Sequence, residues 1–210
     1  MNPSEAIHQW AQEGEHCTPT PWDRMPEIYL YMDQVITYMH SQLSLFERTE
    51  DSPLLTSSMI NNYVKNGVLE RPDKKKYSRD HLATLMVICM LKQVLSLQDI
   101  SSLLKASLNH GESRQELYET YSQAQTKALQ QVCKRVENCI PQGEDSLYKL
   151  AMELAVEANA RRAAAERILC ELGAQKEECS KKEKKESSPT SDTSLPIEGT
   201  PEEKNLSEKA

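Results

Sequence analysis

The stretch LLTSSMINNYVKNGVLERPDKKKYSRDHLATLMVICMLKQVLSLQDISSLL, Leu54 to Leu104, decides how this chain is read. It opens on a short segment between two stop signals. Thr56 suits a helix start, because its hydroxyl accepts from the free amides of the first turn. Gly67 suits the helix end, because glycine enters the left-handed conformation without strain. At about 100° per residue, Ser57, Ser58, Asn61, Asn62 and Lys65 share one arc, and Met59, Ile60, Tyr63 and Val64 share the opposite one. The apolar arc needs a core to bury against. The polar arc is rich in Asn and Ser, side chains that pair with base edges and phosphates. An ordinary amphipathic surface helix has the same pattern, so the flanks decide between the two.

After Val68 and Leu69 comes Arg71-Pro72-Asp73-Lys74-Lys75-Lys76-Tyr77-Ser78-Arg79, five basic residues around two turn formers. A basic loop beside a helix end can clamp a phosphate backbone. Ser78 then caps a helix expected over Arg79 to Val94. Leu82, Leu85, Met86, Val87, Ile88, Cys89, Met90 and Leu91 make it apolar almost all round, which predicts a buried core helix. Ser96 starts a further helix with Leu97, Ile100, Leu103 and Leu104 on one side. A polar-faced helix, a basic turn, a buried helix and a second short helix are the parts of a small winged helix-turn-helix.

The spacing resembles the DNA-binding domain of the MerR family of bacterial regulators. The matching pieces are Tyr63, Gly67-Val68-Leu69, Tyr77-Ser78 and the segment Ser96 to Leu104. LYMDQV at Leu30 to Val35, with LLTSSMINNYVKNGVL, resembles more closely a Firmicutes family, domain of unknown function 1836, which itself looks MerR-like. The resemblance covers Trp22 to Lys105, about half the chain. It implies a sequence-specific transcriptional regulator bound to double-stranded DNA. Three departures stand out. MerR recognition helices carry an Arg before paired aromatics, whereas Asn61 and Asn62 precede the single Tyr63 here. The wing lacks the usual Gly-Tyr-Arg, and Lys75 or Lys76 stands nearest that Arg. About ten residues follow the first helix of the motif, expected over Tyr31 to Leu45, where three or four are the norm.

The formal net charge of −7 argues against nucleic acid, but its distribution does not. Residues 54–105 carry eight basic side chains (Lys65, Arg71, Lys74, Lys75, Lys76, Arg79, Lys92, Lys105) against four acids, a local +4. Residues 1–53 carry two against nine, a local −7. A local basic patch is what a DNA-facing surface requires. The first residues have no signal-peptide pattern and no apolar run is long enough to span a bilayer, so a cytoplasmic protein without membrane contact is expected.

Beyond Lys105 two more helices are expected. Ser113 to Cys139 shows a broad apolar face, and Pro141-Gln142-Gly143 is a turn. Ser146 to Leu172 follows, with Gly173 as its stop. Leu147, Ala151, Leu154, Ala158, Arg161, Ala165, Ile168 and Leu172 keep four-three spacing, the seam of a coiled coil that closes within one chain or between two copies of a homodimer. Residues from Gln175 on are Lys, Glu, Ser, Pro and Thr, a composition expected to be disordered.

The six cysteines form no CxxC pair and no Cys/His cluster at zinc spacing, so no metal and no disulfide framework is expected. Cys133 and Cys139 fall on opposed faces of one helix, and they and Cys170 are the candidates for a redox role. There is no phosphate loop, no paired-carboxylate site and no nucleophile with a positioned base, hence no catalytic residue and no cofactor.

The expectation is a mainly α protein: an N-terminal arm over 1–21, a MerR-like winged helix-turn-helix domain over 22–105, a helical hairpin for dimerisation or sensing over 106–173, and a disordered C-terminal tail over 174–210. The expected DNA-contacting set is Ser57, Ser58, Asn61, Asn62 and Lys65 in the groove, with Arg71, Lys74, Lys75, Lys76, Tyr77 and Arg79 on the backbone. The alternative is a helical protein-interaction adaptor that keeps the fold without the DNA.

Overall fold

The apolar run after Ser78 becomes the centre of the molecule. Helix α4, Arg79–Leu91, buries every side chain from Leu82 to Cys89. The computed structural model describes residues 2–47 and 53–186, with side chains as far as Gly173. Four helices lay one face each into the core around α4. They are α2 (Met32–Leu43, through Val35, Met39 and Leu43), α3 (Ser57–Lys65, through Ile60 and Tyr63), α5 (Leu97–Asn109, through Ile100 and Leu104) and α6 (Arg114–Cys139, through Tyr118). Every member is apolar or aromatic, so burial provides the main stabilisation, about 25 cal/mol per Å² of apolar surface.

The caps expected at Thr56, Gly67 and Ser96 are in place. Thr56 Oγ1 accepts from Met59 N at 3.2 Å, and Ser96 Oγ accepts from Asp99 N at 3.1 Å. Ser113 and Glu116 cap α6 reciprocally. At the end of α3, Gly67 N donates to Val64 O and Val68 N to Tyr63 O, with Gly67 at φ +67°. That is a Schellman closure, and it requires the left-handed backbone that glycine provides. Helix α4 stops three residues before the expected Val94, because Gln93, Val94 and Leu95 turn back onto the carbonyls of Met90 and Leu91.

A second, smaller core lies at the other end of α6. Helix α1, Pro3–His16, packs along α6, and Ala11 and Gly14 are buried there. The N-terminal segment is therefore a helix docked on the hairpin. Ala11, Leu129, Cys133, Val136, Cys139 and Leu150 form this core, joined by Ile7, Leu147 and Leu154. A 3-10 turn at Ile140–Gln142 and Gly143 (φ +93°) lead into α7, Glu144–Glu186. Arg135 on α6 bonds Glu157 at 2.8 Å and Glu153 at 3.3 Å on α7, so the two helices form the expected hairpin.

Three expectations change. Helix α7 does not stop at Gly173 but continues to Glu186. One glycine costs a helix only about 1 kcal/mol relative to alanine, and as far as Glu186 only Ala, Gln, Lys, Glu, Cys and Ser follow it, with no proline or second glycine. Of the stretch expected to be disordered, residues 174–186 thus have helical backbone, and 187–210 lie outside the described residues. The four-three seam of α7 also divides. Leu147, Leu154 and Ala165 are half-buried beside Leu150 and Leu169, whereas Ala151, Ala158, Arg161, Ile168 and Leu172 are exposed. Finally, Cys133 and Cys139, set six apart on one helix, are both buried in the second core. The described residues up to Gly173 make up one compact unit.

Candidate nucleic-acid interface

Helix α3 is anchored by Ile60 and Tyr63, which leaves its other side to solvent. Ser57, Ser58, Asn61, Asn62 and Lys65 are all exposed. Met59, expected on the apolar arc, is 39% exposed at the border between the two faces. The amides differ in what they have left to offer. Asn62 Oδ1 accepts from Asn66 Nδ2 at 2.9 Å, while the side chain of Asn61 has no described hydrogen bond. A bidentate pair with adenine needs both the oxygen and the amine of one amide, and Asn61 has both free.

Eight residues beyond α3 the chain makes a tight turn. Lys76 N donates to Asp73 O at 2.8 Å, and Asp73 and Lys76 form an antiparallel bridge. Lys74 and Lys75 between them have φ +47° and +63°. Two positive values in the central positions mark a type I′ turn, which Asn-Gly enters readily and β-carbon-bearing lysines do not. Each costs roughly 1–2 kcal/mol in that conformation. The turn stands on a second bridge, in which Leu30 N donates to Tyr77 O at 2.9 Å and Tyr77 N to Leu30 O at 2.8 Å. Among the described residues these two bridges are the β-type pairings, so the expected wing is reduced to a turn on one anchored pair. Arg71, Lys74, Lys75 and Lys76 are exposed and take part in none of the described ion pairs.

Tyr77 and Arg79 do not join that surface. Tyr77 is 3% exposed and belongs to the core, its ring edge-on to His81. The apolar ring outweighed its hydroxyl, and burial pushes the phenol pKa up. Arg79 turns inward: its guanidinium bonds Met25 O at 3.2 Å and Glu27 at 2.9 Å and lies over the Trp22 ring. These partners fix the segment before α2 to the start of α4. His81 caps the start of α4. Its Nδ1 accepts from Ser78 N at 3.1 Å, and burial lowers its pKa.

Two features carried no clear signal in the sequence. Tyr118 is buried beneath Trp22 and donates from its hydroxyl to Thr20 O at 2.8 Å, which ties residues 18–22 to α6. Ile28, Tyr29 and Tyr31, next to the basic turn, are 71, 60 and 54% exposed. Of the three redox candidates, Cys133 and Cys139 are buried and Cys170 is exposed. Burial holds Cys17 and Cys133 above the ordinary thiol value and pushes Cys89 up to about 12, which disfavours the thiolate a redox residue needs. Among the described residues no cluster of three His, Cys, Asp or Glu is placed to hold a metal ion, and no helix is long and apolar enough to cross a membrane.

The core around α4 and the surface above it lie within one recognised sequence unit. A family model, described as domain of unknown function DUF1836, matches residues 20–124. The chain belongs to this family. No curated protein matches the chain, and no solved structure does. The DUF1836 match takes in α2 to α5 with the first part of α6, and it includes both the exposed face of α3 and the lysine turn.

Proposed function

We propose that this protein is a sequence-specific DNA-binding transcriptional regulator, in which α2, α3, the lysine turn and α4 act as a MerR-like winged helix-turn-helix. The carrying observation is the turn itself. Two consecutive lysines, flanked by a third, occupy backbone positions that Asn-Gly would fill without strain. Strain of that kind persists mainly where the side chains are needed, and three ammonium groups on a fixed turn suit a phosphate backbone. Beside the turn, Asn61 reads base edges, Ser57 and Ser58 contact phosphates, and Lys65 and Arg71 extend the positive surface. Two copies read two half-sites, paired through the exposed face of α7, where Tyr148, Met152 and Val156 are 76, 64 and 65% exposed at four-residue spacing.

The test is fluorescence anisotropy of the full chain on duplex DNA over a series of salt concentrations. Affinity is expected to fall steeply with salt, and the slope of log K against log salt to shrink by about 0.9 for each phosphate contact removed. Lys74→Ala/Lys75→Ala/Lys76→Ala should reduce both affinity and slope. Asn61→Ala should erode selectivity between sequences and leave the slope unchanged. A salt-independent, weak signal would sink the proposal.

One observation favours the adaptor reading. An apolar groove of about 400 Å³ lies between α1, α6 and α7, lined by Ala6, Ile7, Trp10, Leu147, Leu150 and Leu154. An adaptor predicts that a protein partner stays bound after the three lysines are neutralised, with no retention on DNA.

A further inference from the structure

We propose that Ile28, Tyr29 and Tyr31 form an apolar ledge that lies against the sugar edges of a DNA minor groove beside the lysine turn. This inference rests on the DNA-binding reading above. Isolated exposed apolar residues are ordinary on protein surfaces. Three within four positions, on a segment held in place from both sides, are not. Leu30 between them is 7% exposed and pinned to Tyr77 by the two backbone hydrogen bonds of the bridge. Gln34 Oε1 accepts from Tyr31 N at 2.9 Å, which fixes the entry into α2. The exposed side chains therefore stand on rigid backbone.

The chemistry around the ledge selects the partner. Tyr77 places the ledge directly beside Lys76, whose ammonium sits over the Tyr31 ring at 5.8 Å from its centre. Lys74, Lys75 and Arg71 continue the positive field along the same segment. Two acids flank the ledge. Glu27 is paired with Arg79, and Asp33 lies in the first turn of α2, where the helix dipole offsets its charge. A surface with apolar side chains set among cations is complementary to a polyanion that also has apolar edges. The minor groove is such a surface: deoxyribose walls carry the apolar contact and the phosphates on its rims take the lysines. Apolar side chains at this position commonly wedge against base steps and bend the duplex.

Because sugar edges carry no base identity, a labelled duplex of mixed sequence is a sufficient probe. The experiment compares wild type, Ile28→Ala/Tyr29→Ala, Tyr29→Phe and the triple lysine variant, all full length, by anisotropy at several salt concentrations. The double variant removes apolar contact and no charge. It should bind about tenfold more weakly at every salt concentration, on the scale of one aromatic contact with nucleic acid, with the same salt slope as wild type. Tyr29→Phe keeps the ring and should bind almost as wild type does. Both positions are exposed, so equal thermal melts are expected. Unchanged affinity in the double variant, alongside a loss in the lysine variant, would overturn the ledge and leave the DNA reading standing. A reduced salt slope in the double variant would also overturn it, since the patch would then act through charge. So would a change in self-association by sedimentation with DNA affinity intact, which would make the ledge a protein contact. A wild-type chain that binds no duplex would overturn both proposals.

Discussion

The two ends of α6 join cores of different size. Its N-terminal part joins a core of twenty-one buried residues among those described, gathered around α4, whereas its C-terminal part shares only six with α1 and α7. The first core takes nearly all the large apolar side chains of its helices, so the outer side of α3 is left to Ser, Asn and Lys. The second core is thin. Tyr148, Met152 and Val156 stay outside it, and a groove remains open beside Trp10. The deep core leaves α3 a polar outer face, and the shallow one leaves apolar side chains of α7 exposed. The family match ends at residue 124, between Tyr118 of the first core and Leu129 of the second. It therefore takes in the part of the chain that is physically most self-sufficient.

The largest expected effect measures that asymmetry. Ile88 is 0% exposed at the middle of α4, and Ile88→Ala should cost roughly 2–5 kcal/mol. Leu150, 8% exposed in the second core, has fewer buried neighbours, and Leu150→Ala should cost less, about 2 kcal/mol. Denaturant unfolding of both variants decides it. Equal losses would break the contrast between a deep and a shallow core.

A smaller effect tests how closely α1 is docked. A β-carbon on Gly14 would lie 2.5 Å from Cys133 Sγ. Gly14→Ala should cost about 1–3 kcal/mol through overpacking. Adding Cys133→Ala should restore part of that loss, since residues in contact are not additive. A pair of strictly additive losses would mean that α1 does not pack here as described.

Much of the first region was legible because its signals are local. Thr56, Gly67, Ser96 and Ser113 act through bonds within a few residues, and the apolar run of α4 has no stable place except a core. The polar face of α3 follows from helical periodicity, and the exposed lysines follow from their charge in a turn. Tyr77 and Arg79 were misjudged because a basic stretch reads as surface, while their fates were set by Leu30, Met25, Glu27 and Trp22, some fifty residues away in sequence. The seam of α7 misled for a related reason. Four-three spacing shows a stripe but not how much of it finds a neighbour, and Ile168 and Leu172 stay exposed. Gly173 looked like a stop, yet a glycine ends a helix only where the chain also needs to turn.

A third change separates stability from function within the family region. Lys74→Asn/Lys75→Gly keeps the turn and removes both positive-φ lysines. The fold should gain about 1 kcal/mol, since Gly accepts that conformation without strain. DNA affinity should fall, with a reduced salt slope. A stabilised variant that binds as tightly as wild type would show that the strain serves no ligand, and the polar surface of the first region would lose its functional meaning.

The smallest effect concerns the join between that turn and α4. His81 Nδ1 accepts from Ser78 N, and Ser78 Oγ lies 2.8 Å away on the same nitrogen. A protonated ring would carry a hydrogen there and could not accept, so the cap exists only in the neutral form. Burial lowers the His81 pKa from its ordinary 6.5, Arg114 acts the same way, and Glu70 and Asp80 oppose it. Above pH 6.5 the ring is neutral in folded and unfolded chains alike, and its contribution is complete. Below that, the unfolded chain takes up a proton that the folded chain refuses, so stability falls until the pH passes the lowered folded value, and then levels off. Acid acts on other groups of the chain as well, so the wild-type profile alone is ambiguous. His81→Gln resolves it, because glutamine can still accept from Ser78 N and does not titrate. Thermal melts on either side of pH 6.5 should show a smaller acid-side loss in the variant. An unchanged difference would place the acid sensitivity elsewhere, and the start of α4 would then be held by its buried face rather than by its cap.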